Sequence, residues 1–326
     1  MAILILGGAG YIGSHMAKML VEKGEEVIVI DNLITGHRES LSDEVHFFEG
    51  DIRDKEFLRE VIRKYKIESI VHFAASLLVP ESIKDPLKYF DNNVYGMISV
   101  LEVMKEEKID KIIFSSSAAV YGIPEIPIKE DSPLKPINPY GLSKLMMEQT
   151  IKWASEAYGI HYVAFRYFNV AGADHQGDIG EAHKVETHLI PLILEVPLGK
   201  RQFIDVTGTD YNTPDGTNIR DYVHINDLVE AHYLAIEYLM NGGSNEIFNL
   251  GSSKGFSVLE IIEAARRVTG HPIPSEKAPR RGGDPDILVA DSTKAYNILK
   301  WQPKHDNIDE IISTAWQWHK KHKEGY

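Results

Sequence analysis

Residues 2–13, AILILGGAGYIG, constrain the fold more than any other stretch of the 326-residue chain. Ala2–Leu6 is apolar throughout and reads as a buried strand. Ile12–Glu22 carries Ile12, Met16, Met19 and Leu20 on one helical face. Between them, Gly7, Gly10 and Gly13 give a GxxGxxG spacing, and Gly8, Gly10 and Gly13 give GxGxxG. Small residues allow a tight turn, a close backbone approach to a pyrophosphate, and close packing of helix on strand. The helix N-terminus then presents N–H groups and the positive end of its dipole to phosphate. Further strands are expected at Val27–Asp31, Val45–Phe48, Ser69–Phe73, Lys111–Ser115 and His161–Phe168, with helical stretches between them. This alternation predicts an α/β fold: a Rossmann-type doubly wound parallel sheet covered on both faces.

Asp31 closes the second expected strand, where a carboxylate can accept hydrogen bonds from an adenosine ribose. It also repels a 2′-phosphate, and no Arg or Lys follows before Arg38, so NAD is favoured over NADP. Asp51, after the third strand, reads either as an acid beside the adenine or as a helix cap. The net charge of −13 and the lack of a long basic run argue against a nucleic-acid partner, which needs clustered cations. No apolar run approaches the roughly 18–20 residues of a membrane helix. The N-terminal MAILILGGAG reads as a strand rather than a signal peptide. With no cysteine there are no thiolate nucleophiles and no Cys-ligated metals. A reducing cytoplasm fits, and no metal site is expected.

Past Asn169 the texture shifts to Gly, Asp and His through Gly172–His183, with Pro/Gly-punctuated segments at Val196–Gly199 and Asp210–Gly216. Helices are expected at Asn226–Met240, Val258–Thr269 and Asp306–His319, with Ser257 and Glu260 forming a capping box. The expected division is an NAD-binding domain over 1–170, with segments returned from about 217–250, and a smaller C-terminal α/β substrate domain over 171–326.

Residues 138–144, NPYGLSK, place Asn138 and Pro139 as N-cap and first residue of a helix. Tyr140 and Lys144 then share a face. A nearby ammonium and a helix N-terminus both favour a phenolate, so the pair has the ingredients of a tuned proton acceptor. The pattern also occurs incidentally on many helices. Ser115, Ser116 and Ser117 leave the fifth strand at its C-terminal end, the side on which ligands bind in such sheets.

The motifs GGAGYIGSH, DNL, HFAA, DNNV, NPYG-SK, RYFN, DGT-IRDYVH and PRR-GD occur in order over nearly the whole chain. In them the sequence resembles the extended short-chain dehydrogenase/reductases, and within that superfamily the UDP-glucose/UDP-galactose 4-epimerases. The resemblance implies an isomerase, active as a homodimer, that inverts C4 of a UDP-hexose through a transient 4-keto sugar with NAD as cofactor. It implies Tyr140 as base, Lys144 as its activator and Ser117 as the hydroxyl that orients the sugar. Cofactor contacts fall on Gly7, Gly10, Tyr11, Ile12, Gly13, Asp31, Asn32, Asp51, Ile52, Phe73, Ala74, Asn93, Ser115, Tyr140, Lys144 and Tyr167. Substrate contacts fall on Ser117, Tyr140, Asn169, His188, Leu189, Arg220, Tyr222, Arg281 and Asp284. Two phosphates on an acidic protein need fixed guanidiniums, for which Arg is better suited than Lys. Without the resemblance, Arg220 and Arg281 read as surface ion pairs with Asp221 and Asp284.

Departures bear on specificity. Ala119 stands where the family often has threonine, and His188 where it often has asparagine. Leu288 aligns with the residue that gates the hexose pocket, and its intermediate size leaves UDP-N-acetylhexosamines open as an alternative substrate. A dehydratase needs an Asp-Glu pair where Ala118 and Ala119 stand. A non-catalytic NAD-binding sensor is expected to lose the Tyr/Lys/Ser set, which is intact.

Overall fold

The computed structural model describes residues 1–280 and 284–326. Strands β1 (Ala2–Leu6), β2 (Glu26–Asp31), β3 (His46–Glu49), β4 (Ile67–His72), β5 (Lys111–Ser115) and β6 (His161–Tyr167) come first. Then follow β7 (Asn169–Ala171), β8 (Ile204–Thr207), β9 (Ile219–His224), β10 (Glu246–Leu250), β11 (Gly255–Ser257), β12 (Ser275–Ala278) and β13 (Ile287–Leu288). The helices are α1 (Tyr11–Glu22), α2 (Lys55–Lys64), α3 (Val79–Lys84), α4 (Pro86–Tyr89), α5 (Gly96–Glu107), α6 (Pro139–Tyr158) and α7 (Leu189–Leu194). They continue with α8 (Ile225–Met240), α9 (Val258–Thr269), α10 (Thr293–Leu299) and α11 (Ile308–Lys321).

Two compact units result. One comprises Met1–Gly122, Pro133–Arg166 and Val229–Phe248, the other Ile123–Ser132, Tyr167–Leu228 and Asn249–Tyr326. The return to the first unit thus begins at Val229 rather than near 217, and Ile123–Ser132 belongs to the second.

In the first unit the strand order is β10-β6-β5-β4-β1-β2-β3, with β1 pairing in parallel to both β2 and β4. The sheet is wound in both directions from β1, which creates a switch point at its C-terminal end. β1 is apolar because it lies in the middle: every residue from Ala2 to Leu6 is buried. Leu4, Leu6, Ile70, Ile112 and Phe114 meet Met97, Val100, Met104, Met147 and Ile151 in one continuous core. Each fully buried side chain of this kind contributes about 1.5–3 kcal/mol. Expected and observed ends of β1 to β6 agree to within two residues, and those of β1 and β5 coincide. The π-helical turn Phe90–Tyr95 ahead of α5 has no sequence signature of its own.

In the second unit β9 pairs with β7, β11 and β13, and β8 pairs in parallel with β12. Ile190, Ile193, Ile261, Ile262, Ile311 and Ile312, from α7, α9 and α11, form its core. The capping box is present: Ser257 N donates to Glu260 Oε2 at 2.7 Å and Glu260 N to Ser257 Oγ at 3.1 Å. Among the described residues no helix is long and apolar enough to cross a membrane.

Candidate active site

The glycine turn is shaped by collisions that side chains would cause. A Cβ at Gly13 would lie 2.2 Å from Gly7 O and 2.6 Å from Gly8 Cα, so α1 can start this close to β1 only on glycine. Gly7 has φ +77°, and a Cβ there would lie 2.6 Å from Ala74 N, so its backbone runs in close contact with Ala74. That contact is fixed by Phe73 N and Ala74 N, which both donate to Leu6 O, at 2.8 and 2.9 Å. Gly10 differs: a Cβ there meets only Gly7 O, at 3.5 Å. It is the N-cap of α1, whose first residues are Tyr11, Ile12 and Gly13, and no side chain caps that terminus. An open glycine under uncapped N–H groups is a cradle for an anion.

Asp31, at the end of β2, accepts from Ala9 N at 3.0 Å and from Leu33 N at 2.9 Å. Burial pushes its carboxyl upward and these two bonds pull it back. Asp51 is no helix cap, because Asp54 holds that position on α2. Instead its carboxylate takes Arg53 Nη2 at 2.6 Å and lies 3.5 Å from Asn32 Nδ2, and the Arg53 bond holds it below the usual range. Ile52 is buried in the apolar core, with its side chain turned to Gly96. Asn93 sits on the π-helical turn. Its amide accepts from Ser76 N at 2.8 Å and donates to Ser76 O at 3.1 Å and Ser143 Oγ at 3.0 Å, tying the loop after β4 to α6.

Asn138 caps α6, accepting from Gly141 N at 2.8 Å, and Pro139 opens it. One turn of helix then brings Tyr140 and Lys144 to the C-terminal end of β5. Ser117 Oγ accepts from Ala119 N at 3.1 Å, and its hydroxyl lies near enough to pull the Tyr140 phenol downward. Lys144 Nζ donates to Ser115 O at 2.8 Å. The three expected catalytic groups therefore share one corner of the first unit. The expected downward shift of the phenol is not what this corner produces. Burial pushes Tyr140 up, and the opposing pull comes from Ser117. Burial also pushes the Lys144 amine down to about 7, opposed by Glu148. A cation taken out of water loses its charge readily, and an ammonium near neutrality can exchange protons.

Glu148 went unnoticed in the sequence. It lies on α6 one turn beyond Lys144 and is buried, paired with Arg166 of β6 through contacts of 2.9 and 2.7 Å. Ser116 also donates to it, and Arg166 Nη1 donates to Tyr121 OH at 3.0 Å. The i,i+4,i+8 spacing of Tyr140, Lys144 and Glu148 was the available signal. The middle serine of the run is thus structural.

The second unit holds the other expected residues. Tyr167 ends β6, Asn169 opens β7, and Asn169 lies beside Tyr222 of β9 as its parallel-strand partner. Arg220 does not pair with Asp221. The two point to opposite faces of β9, and Asp221 is buried, accepting from Ser252 N at 2.8 Å, Ser253 N at 3.1 Å and Ala290 N at 3.0 Å. Arg220 pairs instead with Asp284 and donates to Pro285 O at 2.8 Å. Asp284 also takes Asn218 Nδ2 at 2.9 Å and Tyr211 OH at 3.1 Å. Arg281 lies outside the described residues. Its neighbour Arg280, not singled out beforehand, stacks over Tyr211 at 3.8 Å. Leu288 is the parallel-strand partner of Arg220. His188 caps the start of α7 just before Leu189, and its Nδ1 lies 2.7 Å from Glu181 Oε1. Burial works against a charge on His188, but Glu181 and Glu186 outweigh it and hold the imidazole up at about 10.

The sequence pattern of the family described as "NAD dependent epimerase/dehydratase family" matches residues 3–251. The chain belongs to that family. It is 59% identical over 329 residues to a UDP-glucose 4-epimerase of Streptococcus mutans serotype c, covering 100% of this chain and 99% of the relative. A crystal structure of a UDP-glucose 4-epimerase superposes with a TM-score of 0.98 at 53% identity, covering 100% of this chain and 99% of the other. The Bifidobacterium longum UDP-glucose 4-epimerase, solved in complex with NAD+ and UDP, gives a TM-score of 0.95 at 38% identity with 100% of both chains covered.

Proposed function

We propose that the protein is an isomerase that interconverts UDP-glucose and UDP-galactose, with NAD retained as cofactor. The observation that carries this reading is the corner where Ser117, Tyr140 and Lys144 meet at the C-terminal end of β5. The first unit fits a dinucleotide on its own geometry, through the open Gly10 and the uncapped start of α1. Gly7, Gly13, Tyr11 and Ile12 shape that cradle, Asp31 and Asn32 receive the ribose, and Asp51 and Ile52 border the adenine. Phe73, Ala74, Asn93, Ser115 and Tyr167 complete the cofactor set. Bound NAD supplies the hydride acceptor, and then the donor, at the sugar C4.

Tyr140 takes the proton of the C4 hydroxyl and later returns it, while Ser117 Oγ bonds the same oxygen and fixes its direction. Lys144 supplies positive charge beside the forming phenolate. The ordinary phenol value is near 10, so Tyr140 acts only with such help. Asn169, His188, Leu189, Arg220, Tyr222, Arg281 and Asp284 hold the nucleotide sugar. Gripping the UDP handle leaves the hexose loose enough to present either face, which inversion at C4 requires. In the structure Arg220 is engaged by Asp284, so a diphosphate must compete for that guanidinium. A cytoplasmic homodimer is the setting we propose for the enzyme.

A coupled assay on UDP-galactose and UDP-N-acetylgalactosamine side by side tests the reading. Turnover of UDP-galactose is expected, and Tyr140→Phe should lower kcat by about 10²–10⁴-fold. Full activity in Tyr140→Phe would sink the assignment of the base.

A further inference from the structure

Between β7 and α7 the sequence Glu181-Ala182-His183-Lys184-Val185-Glu186-Thr187-His188 has no regular secondary structure apart from bends, yet four of its side chains converge. One donor atom from each of Glu181, His183, Glu186 and His188 lies within 4.8 Å of every other. His183 Nδ1 is 3.4 Å from Glu181 Oε1 and 3.2 Å from Glu186 Oε2. His188 Nδ1 is 2.7 Å from Glu181 Oε1 and 3.3 Å from Glu186 Oε1. Three of these four separations are long for a charge-assisted hydrogen bond, which runs at about 2.7–2.9 Å. They match the edge of a tetrahedron, roughly 3.3 Å, set by metal–ligand bonds of about 2.0–2.2 Å. The fourth is a hydrogen-bond length that metal entry would open by roughly 0.6 Å.

Each imidazole faces both carboxylates, His183 through Glu186 Oε2 and His188 through Glu186 Oε1, so the four side chains form one cluster rather than two separate ion pairs. Glu186 is held in place independently, since its Oε1 accepts from Thr187 N and His188 N, both at 2.7 Å. Orientation of a ligand by bonds of this kind is what metal sites require. Glu181 and Glu186 are only 5% and 11% exposed, whereas His188 is 47% exposed and opens the cluster to solvent. Two carboxylates and two imidazoles balance one divalent cation once His188 gives up its proton, so metal binding there releases a proton. Mixed nitrogen and oxygen donors select a first-row transition ion over magnesium or calcium.

We propose that Glu181, His183, Glu186 and His188 form a binding site for a divalent ion of the zinc class, fixing the loop that leads into α7. The proposal does not rest on the catalytic reading. Its test is titration of untagged, chelator-treated protein with ZnCl2 by calorimetry. Binding of one Zn2+ per chain is expected, weakened in His183→Ala and in Glu186→Gln by at least the about 10–100-fold that loss of an outer-shell partner costs. The separate, more exposed group His175, His305 and Glu310 provides the control. His305→Ala should leave binding unchanged, and its loss there would move the site away from this loop. Cobalt loading of the wild-type protein should give the intense visible bands of four-coordinate Co2+. Absence of saturable zinc binding, or the pale spectrum of six-coordinate cobalt, would show that the cluster is only a set of ion pairs.

Discussion

At the scale of single residues, the decisive quantity is how much charge the first unit keeps out of water. Lys144 is the clearest case, because burial lowers its amine from 10.5 to about 7. In the unfolded chain the amine stays protonated up to its ordinary value. Between about pH 7 and 10.5 the unfolded state therefore holds more protons, and this group makes stability rise with pH. Below that window the fold bears the full cost of a buried ammonium. Lys144→Met removes that cost, so its melting temperature relative to wild type should be most favourable at about pH 6 and fall towards pH 10. A difference that stays flat across that range would refute the buried-cation account. Glu148 tests the opposite sign. Glu148→Leu strands the Arg166 guanidinium in the core and should lower the free energy of unfolding by about 3–5 kcal/mol. Replacing both partners, as Glu148→Leu with Arg166→Met, should cost much less. Urea denaturation of the single and double variants measures both.

At the scale of elements, the strand–turn–helix unit β1–α1 separates two jobs that one motif combines. Gly13 serves packing, since any Cβ there strikes backbone at 2.2 Å. Gly10 has room for a methyl group within the protein, so its lack of a side chain points to an approaching ligand. Gly13→Ala should lower stability by more than about 2 kcal/mol. Gly10→Ala should stay within about 0.5 kcal/mol of wild type yet lose most NAD affinity. Thermal unfolding paired with NAD titration distinguishes them, and loss of stability in Gly10→Ala would mean that its role is structural too. These glycines were legible in the sequence because strand, turn and helix are adjacent in the chain. The π-helical turn carrying Asn93 was not. Its geometry comes from side-chain bonds to Ser76 and Ser143, 17 and 50 residues away.

At the scale of the whole molecule, α6 joins the site to a surface. Its buried face carries Lys144, Met147, Glu148 and Ile151, while Leu142, Met146 and Trp153 are 40%, 36% and 69% exposed. Leu145, between them on the helix, is buried. An apolar stripe of this kind suits a second copy of the chain. Leu142→Glu combined with Met146→Glu should convert a dimer into a monomer in light scattering after gel filtration. If the wild-type protein is itself monomeric, the homodimer is wrong.

The sequence by itself determined the strands from β1 to β6, the glycine turn and the cap of α6, and it pointed to Tyr140, Lys144 and Ser117 as one candidate site. Each rests on residues close in the chain or on motifs whose order carries the fold. Tertiary structure alone decided which charges meet. Arg220 finds Asp284 rather than its chain neighbour Asp221, because consecutive strand residues face opposite ways. Glu148 finds Arg166, and the phenol of Tyr140 is pushed up instead of down. Desolvation depends on everything packed around a group, and no local stretch of sequence encodes that sum.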